Sequence, residues 1–211
     1  AVLYVLDPKN ADLADLGTVM GNVYHTKEEM IDCVNAFYEG MVQRSEEMKQ
    51  HPNYKTGENY AYLGLPPCFL IFDEYVAFFE MLGTKESVGL LSQLKKIVML
   101  GRQAGYFLIV ACQRPDAKYF SDGIRDNFNF RVGLGRISEL GYGMLFGSDV
   151  KKQFFQKRIK GRGYCDMGTS VISEFYTPLV PKGHDFLQTI GRLAQERQVM
   201  PEQQGKEDVI E

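Results

Sequence analysis

The sequence predicts an α/β fold with a mainly parallel sheet and helices on both of its faces. Three short runs, VLYVL, CFLIF and YFLIV, are apolar at every position, which is typical of parallel strands that are buried on both faces. Segments with the periodicity of amphipathic helices separate these runs, as in repeated β-α-β units. The 211 residues are enough for one domain with a full core.

The first half of the chain is predicted to hold two of these strands and one long helix. The run at 2–6 predicts a strand that stops at an Asp-Pro pair, because proline ends strand pairing. Apolar residues recur every three, four or seven positions from Thr26 to Met48, which predicts a helix, and Thr26 with Glu29 matches a capping box at its start. The stretch 51–67 contains Gly, Pro and Asn and predicts an exposed loop before the second strand.

The second half is predicted to continue with a helix, a third buried strand and several shorter elements. The helix runs from about Lys85 to Ala104 and leads through a glycine into YFLIVAC. The remaining predicted elements are a fourth strand at 131–135, a closing pair of strands at GYCDM and VISEFYT, and a final helix at 184–198. We expect a single domain over residues 1–200, followed by a polar and disordered tail at 201–211.

Composition narrows the classes of protein to which the chain can belong. No apolar run approaches the roughly 20 residues that a membrane-spanning helix needs. The four cysteines are far apart and form no C-x-x-C pair, which predicts reduced packing residues and a cytoplasmic setting.

Charge is unevenly distributed along the chain. Residues 1–94 carry 6 basic and 14 acidic groups, residues 95–162 carry 14 and 5, and residues 163–211 carry 4 and 8. The net charges of −8, +9 and −4 add up to the −3 of the whole chain. The basic middle part either attracts a polyanion or spreads its cations over a solvated surface.

Polar groups follow three of the predicted strands. These groups are DPKN at 7–10, Asp73 with Glu74, and Gln113 with Arg114. Because the carboxyl ends of parallel strands meet at one edge of the sheet, where ligands bind in such folds, the three sets are expected to lie together. An apolar strand that ends in Asp-Glu fits the second nucleotide motif of P-loop ATPases, in which the Asp associates with Mg²⁺ and the Glu activates water. The alternative is a solvated strand end or a helix cap.

Two more side chains favour the nucleotide interpretation by their order along the chain. Gln113 ends the strand after Asp73 and Glu74, where it could sense a γ-phosphate or hold the attacking water. Arg102 lies in GRQAG at the end of the preceding helix. Each has a structural alternative: Gln113 as a strand cap, and Arg102 as a helix C-terminal cation that the macrodipole favours.

At this point the sequence resembles the FtsK/SpoIIIE motor ATPases of the wider FtsK and HerA group. The motifs that carry the resemblance are DPKN, FLIFDEY, GRQAGYFLIVACQRP and IRDNFNFRVGL. The similarity extends from Leu3 to Thr177 and is most specific from Gly101 to Leu134. It implies a RecA-like P-loop ATPase core that uses ATP and Mg²⁺ and assembles into hexameric rings that move double-stranded DNA.

The form DPKNADLADLG is similar to the coupling proteins of conjugative transposons more than to the branch that acts in chromosome segregation and cell division. That likeness implies a relaxase or other transfer proteins as partners. It also implies a cytoplasmic location, or the cytoplasmic domain of a protein anchored at the inner membrane by regions outside this chain.

The resemblance also implies roles for individual residues at the nucleotide. Asp73 would be the magnesium-associated carboxylate and Glu74 the catalytic base. Gln113 matches the polar sensor, and Arg102 matches the position of an arginine finger that reaches the neighbouring subunit's nucleotide.

The implied DNA-binding positions depart from the family pattern at one place. Arg114 and Arg125 match basic residues near the DNA channel, whereas a third position falls on Glu139, with Arg136 three residues earlier. A cluster of six cations between 151 and 162, which begins with Lys151 and Lys152, is the other candidate for phosphate contacts or else a plain solvated surface.

The P-loop pattern G-x-x-x-x-G-K-[ST] does not occur in the sequence, whose one Gly-Lys pair is Gly205-Lys206 in the polar tail. In the family this loop precedes the strand that carries DPK, so we expect it upstream of Ala1, with the first strand and the P-loop helix missing here. The chain alone is therefore predicted to be inactive, because the phosphate cradle is its main anchor for ATP. Two alternatives stay open: an ATPase domain of type VII-like protein secretion, and a non-catalytic assembly module.

Overall fold

Two separate sheets organise the chain in the computed structural model, which describes residues 1–115, 118–120, 122–147, 150, 159–169 and 171–199. The larger sheet has four parallel strands in the order β2-β1-β3-β4. Their bounds are β1 Val2–Leu6, β2 Val23–Tyr24, β3 Cys68–Phe72 and β4 Tyr106–Val110. This confirms the predicted α/β class and the three long apolar strands.

The register of this sheet aligns the carboxyl ends of its strands. Leu6 of β1 pairs with Phe72 of β3, which pairs in turn with Val110 of β4. The residues that follow these three positions therefore emerge side by side at one edge of the sheet.

Two long helices, α1 (Lys27–Gln50) and α3 (Thr84–Ala104), pack against each other and against one face of the sheet. The Thr26 capping box of α1 forms as predicted. Phe37 of α1 makes edge-to-face ring contacts with Tyr4 and Tyr106, with ring centroids 5.4 and 4.8 Å apart. These contacts join α1 to β1 and β4.

The predicted parallel sheet flanked by helices is confirmed, and its two long helices cover the same face. Right-handed crossovers that step in one direction, from β1 to β3 to β4, place their helices on the same side. On the opposite face Leu3 is 36% exposed and Ile109 47% exposed. Phe69 and Phe107 on that face stack on each other with centroids 5.3 Å apart.

The strand predicted at 131–135 exists but does not pair with β4. As β5 (Arg131–Leu134) it opens an antiparallel sheet of order β5-β6-β7 with the predicted closing pair, β6 (Arg162–Asp166) and β7 (Ile172–Tyr176). A small core of Tyr142, Phe146, Tyr164 and Ile172 lies against this sheet.

Several short elements were not predicted, because they are too short to show a period in the sequence. They are β2, a 3-10 helix at Ala14–Thr18, α2 (Tyr75–Glu80), α4 (Asp122–Arg125) and α5 (Glu139–Phe146). The final helix, α6 (Phe186–Val199), agrees with the prediction, and the tail at 201–211 lies outside the described residues.

The four cysteines are unpaired thiols, and Cys33, Cys68 and Cys165 are buried, as predicted for packing residues. None of the helices in the described part of the chain combines the length and the apolar character that crossing a membrane requires.

A pair of glycine substitutions in α3 tests the close packing of this helix on β4. A Cβ built on Gly101 collides with the Tyr106 carbonyl oxygen, whereas a Cβ on Gly89 meets no atom within 4 Å. We expect Gly101→Ala to lower the free energy of unfolding by roughly 1–3 kcal/mol through overpacking. Gly89→Ala should raise it by about 1 kcal/mol, because alanine is the better helix former. Urea unfolding of the 211-residue chain measures both, and equal effects of the two changes would contradict the described contact.

Candidate functional site

A buried carboxylate organises the loop that follows β1. Asp7 has no exposed surface, and its two oxygens accept hydrogen bonds from three backbone N–H groups. Oδ1 accepts from Lys9 at 3.1 Å, and Oδ2 accepts from Ala11 at 2.8 Å and from Ala14 at 3.0 Å. Asp7 is therefore a scaffold residue rather than a free ligand. The Asp-Pro pair was the sequence signal for such a turn, since Asp side chains commonly bond the backbone that follows them.

Asp73 and Glu74 form a sharp turn between β3 and α2. The Asp73 N–H donates to the Leu6 carbonyl oxygen at 2.9 Å, and the Tyr75 N–H donates to the Ala111 carbonyl oxygen at 2.9 Å. Glu74, between them, has the left-handed backbone angles φ 53° and ψ 55°. This conformation costs a residue with a Cβ about 1–2 kcal/mol.

The aromatic core compensates for that strain. Tyr75 is fully buried, and its ring lies 5.4 Å from Phe72, 4.9 Å from Phe79 and 4.7 Å from Phe120. Because Tyr75 is locked in this cluster, the residue before it has little freedom to relax. Strained backbone held in place by its surroundings is a recurring property of functional sites.

Negative charge accumulates around Asp73. Burial raises the pKa of the Asp73 carboxyl, and the neighbouring Asp7 and Glu74 raise this pKa further, while Lys9 lowers it. The Lys9 Nζ lies 3.3 Å from Glu74 Oε1. A partly desolvated carboxylate beside two other carboxylates is an arrangement that a cation stabilises.

The end of β4 approaches the same site. Cys112 is half-buried, and its pKa is raised to about 11, first by burial and then by the negative charge of Glu74. Gln113 and Arg114 follow directly and are exposed. The structure therefore brings Asp73, Glu74 and Gln113 to one edge of the sheet, as the order of strands predicted.

Arg102 lies at the other end of the sheet. It is an exposed residue in the last turn of α3, which leads through Gly105 into the amino end of β4. A five-residue strand spans about 16 Å, so Arg102 is separated from Asp73 and Glu74 by the length of the sheet. If Arg102 contacts a nucleotide, that nucleotide must be bound by a neighbouring subunit, as the resemblance implied.

The predicted DNA-binding residues are spread over several elements. Arg114 and Arg136 are exposed, and Arg125 of α4 forms an ion pair with Asp126 at 3.2 Å. Glu139, which departs from the family pattern, lies in the first turn of α5, where a negative charge is favourable to the helix. Lys151 and Lys152 lie outside the described residues.

The carboxylates fit a magnesium ion bound largely through water. Among the described residues no group of three His, Cys, Asp or Glu side chains is placed to hold a metal ion, and Asp7 is occupied by backbone N–H groups. Asp73 remains as a single oxygen ligand, which suits Mg²⁺ because this ion keeps several waters. The fit to a nucleotide is partial, since the sequence has no P-loop to cradle its phosphates.

Comparison with known proteins gives one close relative. No protein-family profile matches the sequence. Over 187 residues the chain is 58% identical to the FtsK domain-containing protein YdcQ of Bacillus subtilis (strain 168), an alignment that covers 88% of this chain and 39% of that protein. The chain thus spans about two fifths of the length of this relative.

Solved structures with much lower identity share the fold. The pCW3 conjugation coupling protein TcpA, in a monomer form with ATPγS, matches with a TM-score of 0.72 at 16% identity, over 94% of this chain and 57% of that one. The cytoplasmic domain of the Type VII secretion ATPase EccC of Thermomonospora curvata matches with a TM-score of 0.60 at 19% identity. This match covers 92% of this chain and 24% of that one. EssC of Geobacillus thermodenitrificans matches with a TM-score of 0.61 at 16% identity, over 93% of this chain and 37% of that one. The chain therefore shares the α/β fold of these structures.

The raised pKa of Asp73 leads to a prediction about stability and pH. The folded chain binds the Asp73 proton more readily than the unfolded chain, whose Asp pKa is about 3.9. The stability contributed by this group therefore falls as pH rises from about 4 and is lost once pH has passed through the raised folded pKa. We expect Asp73→Asn to be more stable than wild type at pH 7.5, with the difference shrinking toward pH 4.

Urea unfolding at several pH values, in buffer without divalent cations, measures this effect. Asp32→Asn removes one exposed carboxylate from α1 and serves as the control for net charge. A variant Asp73→Asn that is less stable than wild type at pH 7.5 would contradict the described electrostatics.

Proposed function

We propose that this chain, a homologue of an FtsK domain-containing protein, is part of an ATP-driven motor with a RecA-like core that moves double-stranded DNA. The observation that carries the proposal is the Asp73-Glu74 pair at the carboxyl end of β3. Its neighbours β1 and β4 bring Lys9 and Gln113 to the same edge. The motor as a whole, its partners and its substrate are part of the proposal, because the chain spans 39% of its close relative.

Each residue at this edge has a proposed role in hydrolysis. Asp73 would hold a magnesium ion, which would supply charge neutralisation at the phosphate oxygens. Glu74 accepts the proton of the attacking water, and the exposed Gln113 orients that water. Arg102, at the opposite end of the sheet, serves the nucleotide of the next subunit in a ring.

The open edge of β4 supports the view that the phosphate cradle belongs to another segment of the protein. In the described part of the chain β4 is an edge strand, although its sequence YFLIV carries none of the charges that usually protect such an edge. The Ala111 N–H donates to the Phe72 carbonyl oxygen, and the Cys68 N–H donates to the Gly105 carbonyl oxygen. Because the backbone groups of a strand face alternate sides, those of Leu108 and Val110 point away from β3. We propose that the strand leading into a P-loop pairs there.

DNA is the proposed substrate because of the charge distribution in the sequence. The segment 95–162 has a net charge of +9 in a chain of net charge −3. The likeness to a conjugation coupling protein has the higher TM-score, and the likeness to secretion ATPases leaves a polypeptide as the second candidate substrate. In the proposed setting the motor works in the cytoplasm, anchored at the membrane by other regions, with a relaxase or another transfer protein as its partner.

The proposal predicts magnesium-dependent ATP hydrolysis by a longer protein that includes this chain and a P-loop. We expect Glu74→Gln to lower kcat by at least about 100-fold, as for the loss of a general base. Glu80→Gln changes an exposed glutamate on α2 in the same way and should leave kcat unchanged. The 211-residue chain alone should show no turnover. Turnover by that chain, abolished by Glu74→Gln, would contradict the assignment of the phosphate cradle to another segment.

A second measurement separates DNA from polypeptide as the substrate. Affinity of the longer protein for duplex DNA should fall steeply with salt, because the contacts are to phosphates. Replacing Arg125, Lys151 and Lys152 by Gln should weaken binding and make the salt dependence shallower, by about one unit of slope per lost contact. Lys85→Gln, at an exposed lysine of α3 outside the basic segment, is the control. Hydrolysis that is indifferent to DNA and is stimulated by a secreted polypeptide would favour the secretion alternative.

A further inference from the structure

An ion pair connects the loop after β1 to the proposed catalytic base. Lys9 Nζ lies 3.3 Å from Glu74 Oε1, with 44% of the Lys9 side chain and 18% of the Glu74 side chain exposed. The pair lies at the edge where Asp73 and Gln113 also emerge. The oxygen of Glu74 that contacts Lys9 is occupied by the ammonium group rather than free to receive a proton from water.

Both ends of this pair are held by the backbone. The Lys9 N–H donates to the buried Asp7 carboxylate at 3.1 Å, and the next residue, Asn10, has a left-handed φ of 49°. Glu74 has the φ of 53° described above. One non-glycine residue in this rare conformation follows Lys9 and another is Glu74 itself, which indicates that the fold constrains the approach of the two side chains.

The pair is nevertheless weak enough to exchange. The Lys9 partner is 44% exposed, so water reaches the pair from that side, and ion pairs open to solvent change an equilibrium by a factor of about five at most. The ammonium of lysine is a point charge on a flexible stem and can turn from one anion to another. A phosphate group carries more charge than one carboxylate, so it would compete for Lys9 at this edge.

We propose that Lys9 is a positioning residue that holds Glu74 in a resting arrangement and releases it when an anionic phosphate binds beside the sheet edge. Lys9 then contacts the phosphate, and Glu74 turns to the water. This inference rests on the proposed function, since it takes Glu74 as the base. It assigns to the DPKN motif a role distinct from the scaffold role of Asp7.

The test uses the longer, hydrolysing protein and the change Lys9→Met, which removes the charge and keeps a long side chain. We expect KM for ATP to rise about two- to fivefold, because the phosphate loses its contact with Lys9. We expect kcat at saturating ATP to stay within about twofold of wild type, because the bound phosphate has already released Glu74 there. Lys9→Arg, which keeps the cation, should restore KM toward wild type. Lys95→Met changes an exposed lysine on α3 and should alter neither kcat nor KM.

A readout without turnover tests the pair itself. In the 211-residue chain, the NMR signals of the Lys9 ammonium should shift on Glu74→Gln, whereas those of Lys95 should not. In the longer protein, magnesium ATPγS should shift the Lys9 signals in wild type and in Glu74→Gln alike. Thermal unfolding of Lys9→Met checks that the fold is retained.

The outcomes are distinct. Hydrolysis that depends on Glu74, together with an unchanged KM for ATP in Lys9→Met, would overturn the role of Lys9 and leave the proposed function intact. The role of Lys9 would also be overturned if its NMR signals shifted neither on Glu74→Gln nor on addition of ATPγS. A longer protein with no turnover that depends on Glu74 would overturn the proposed function and this inference together.

Discussion

The buried Asp7 carboxylate is the constraint on which the candidate site depends. A carboxylate with no exposed surface is costly unless its oxygens are hydrogen-bonded, and three backbone N–H groups meet that need. These N–H groups belong to residues between Lys9 and Ala14, so the Asp7 side chain fixes the whole loop and the start of the 3-10 helix. Without that carboxylate, Lys9 would have no fixed position relative to Glu74.

The parallel register turns this local arrangement into a shared site. Since Leu6, Phe72 and Val110 are aligned, Asp73 emerges beside Asp7 and is surrounded by negative charge. The fold accepts both this repulsion and the left-handed backbone of Glu74. Such costs are characteristic of sites that are selected for activity rather than for stability.

Much of the fold could be predicted from the sequence, because it is encoded locally. Uninterrupted apolar runs define β1, β3 and β4, and a capping box defines the start of α1. The face on which the helices lie and the sheet to which β5 belongs depend on distant pairings that no local pattern records. In the candidate site, strand order was enough to predict that Asp73, Glu74 and Gln113 lie together. The locking of Asp7 and the ion pair of Lys9 depend on side-chain geometry, which spacing does not specify.

The outer edge of β4 has a consequence for handling the chain on its own. Its backbone groups and its apolar side chains, such as the half-exposed Ile109, form a template that any extended segment can pair with. The β4 strands of two copies of the isolated chain can hydrogen-bond to each other along this edge. The protein concentration therefore matters in every solution experiment. Refolding and purification at low concentration, or with a short β-strand peptide that blocks the edge, follow from the topology of the sheet itself.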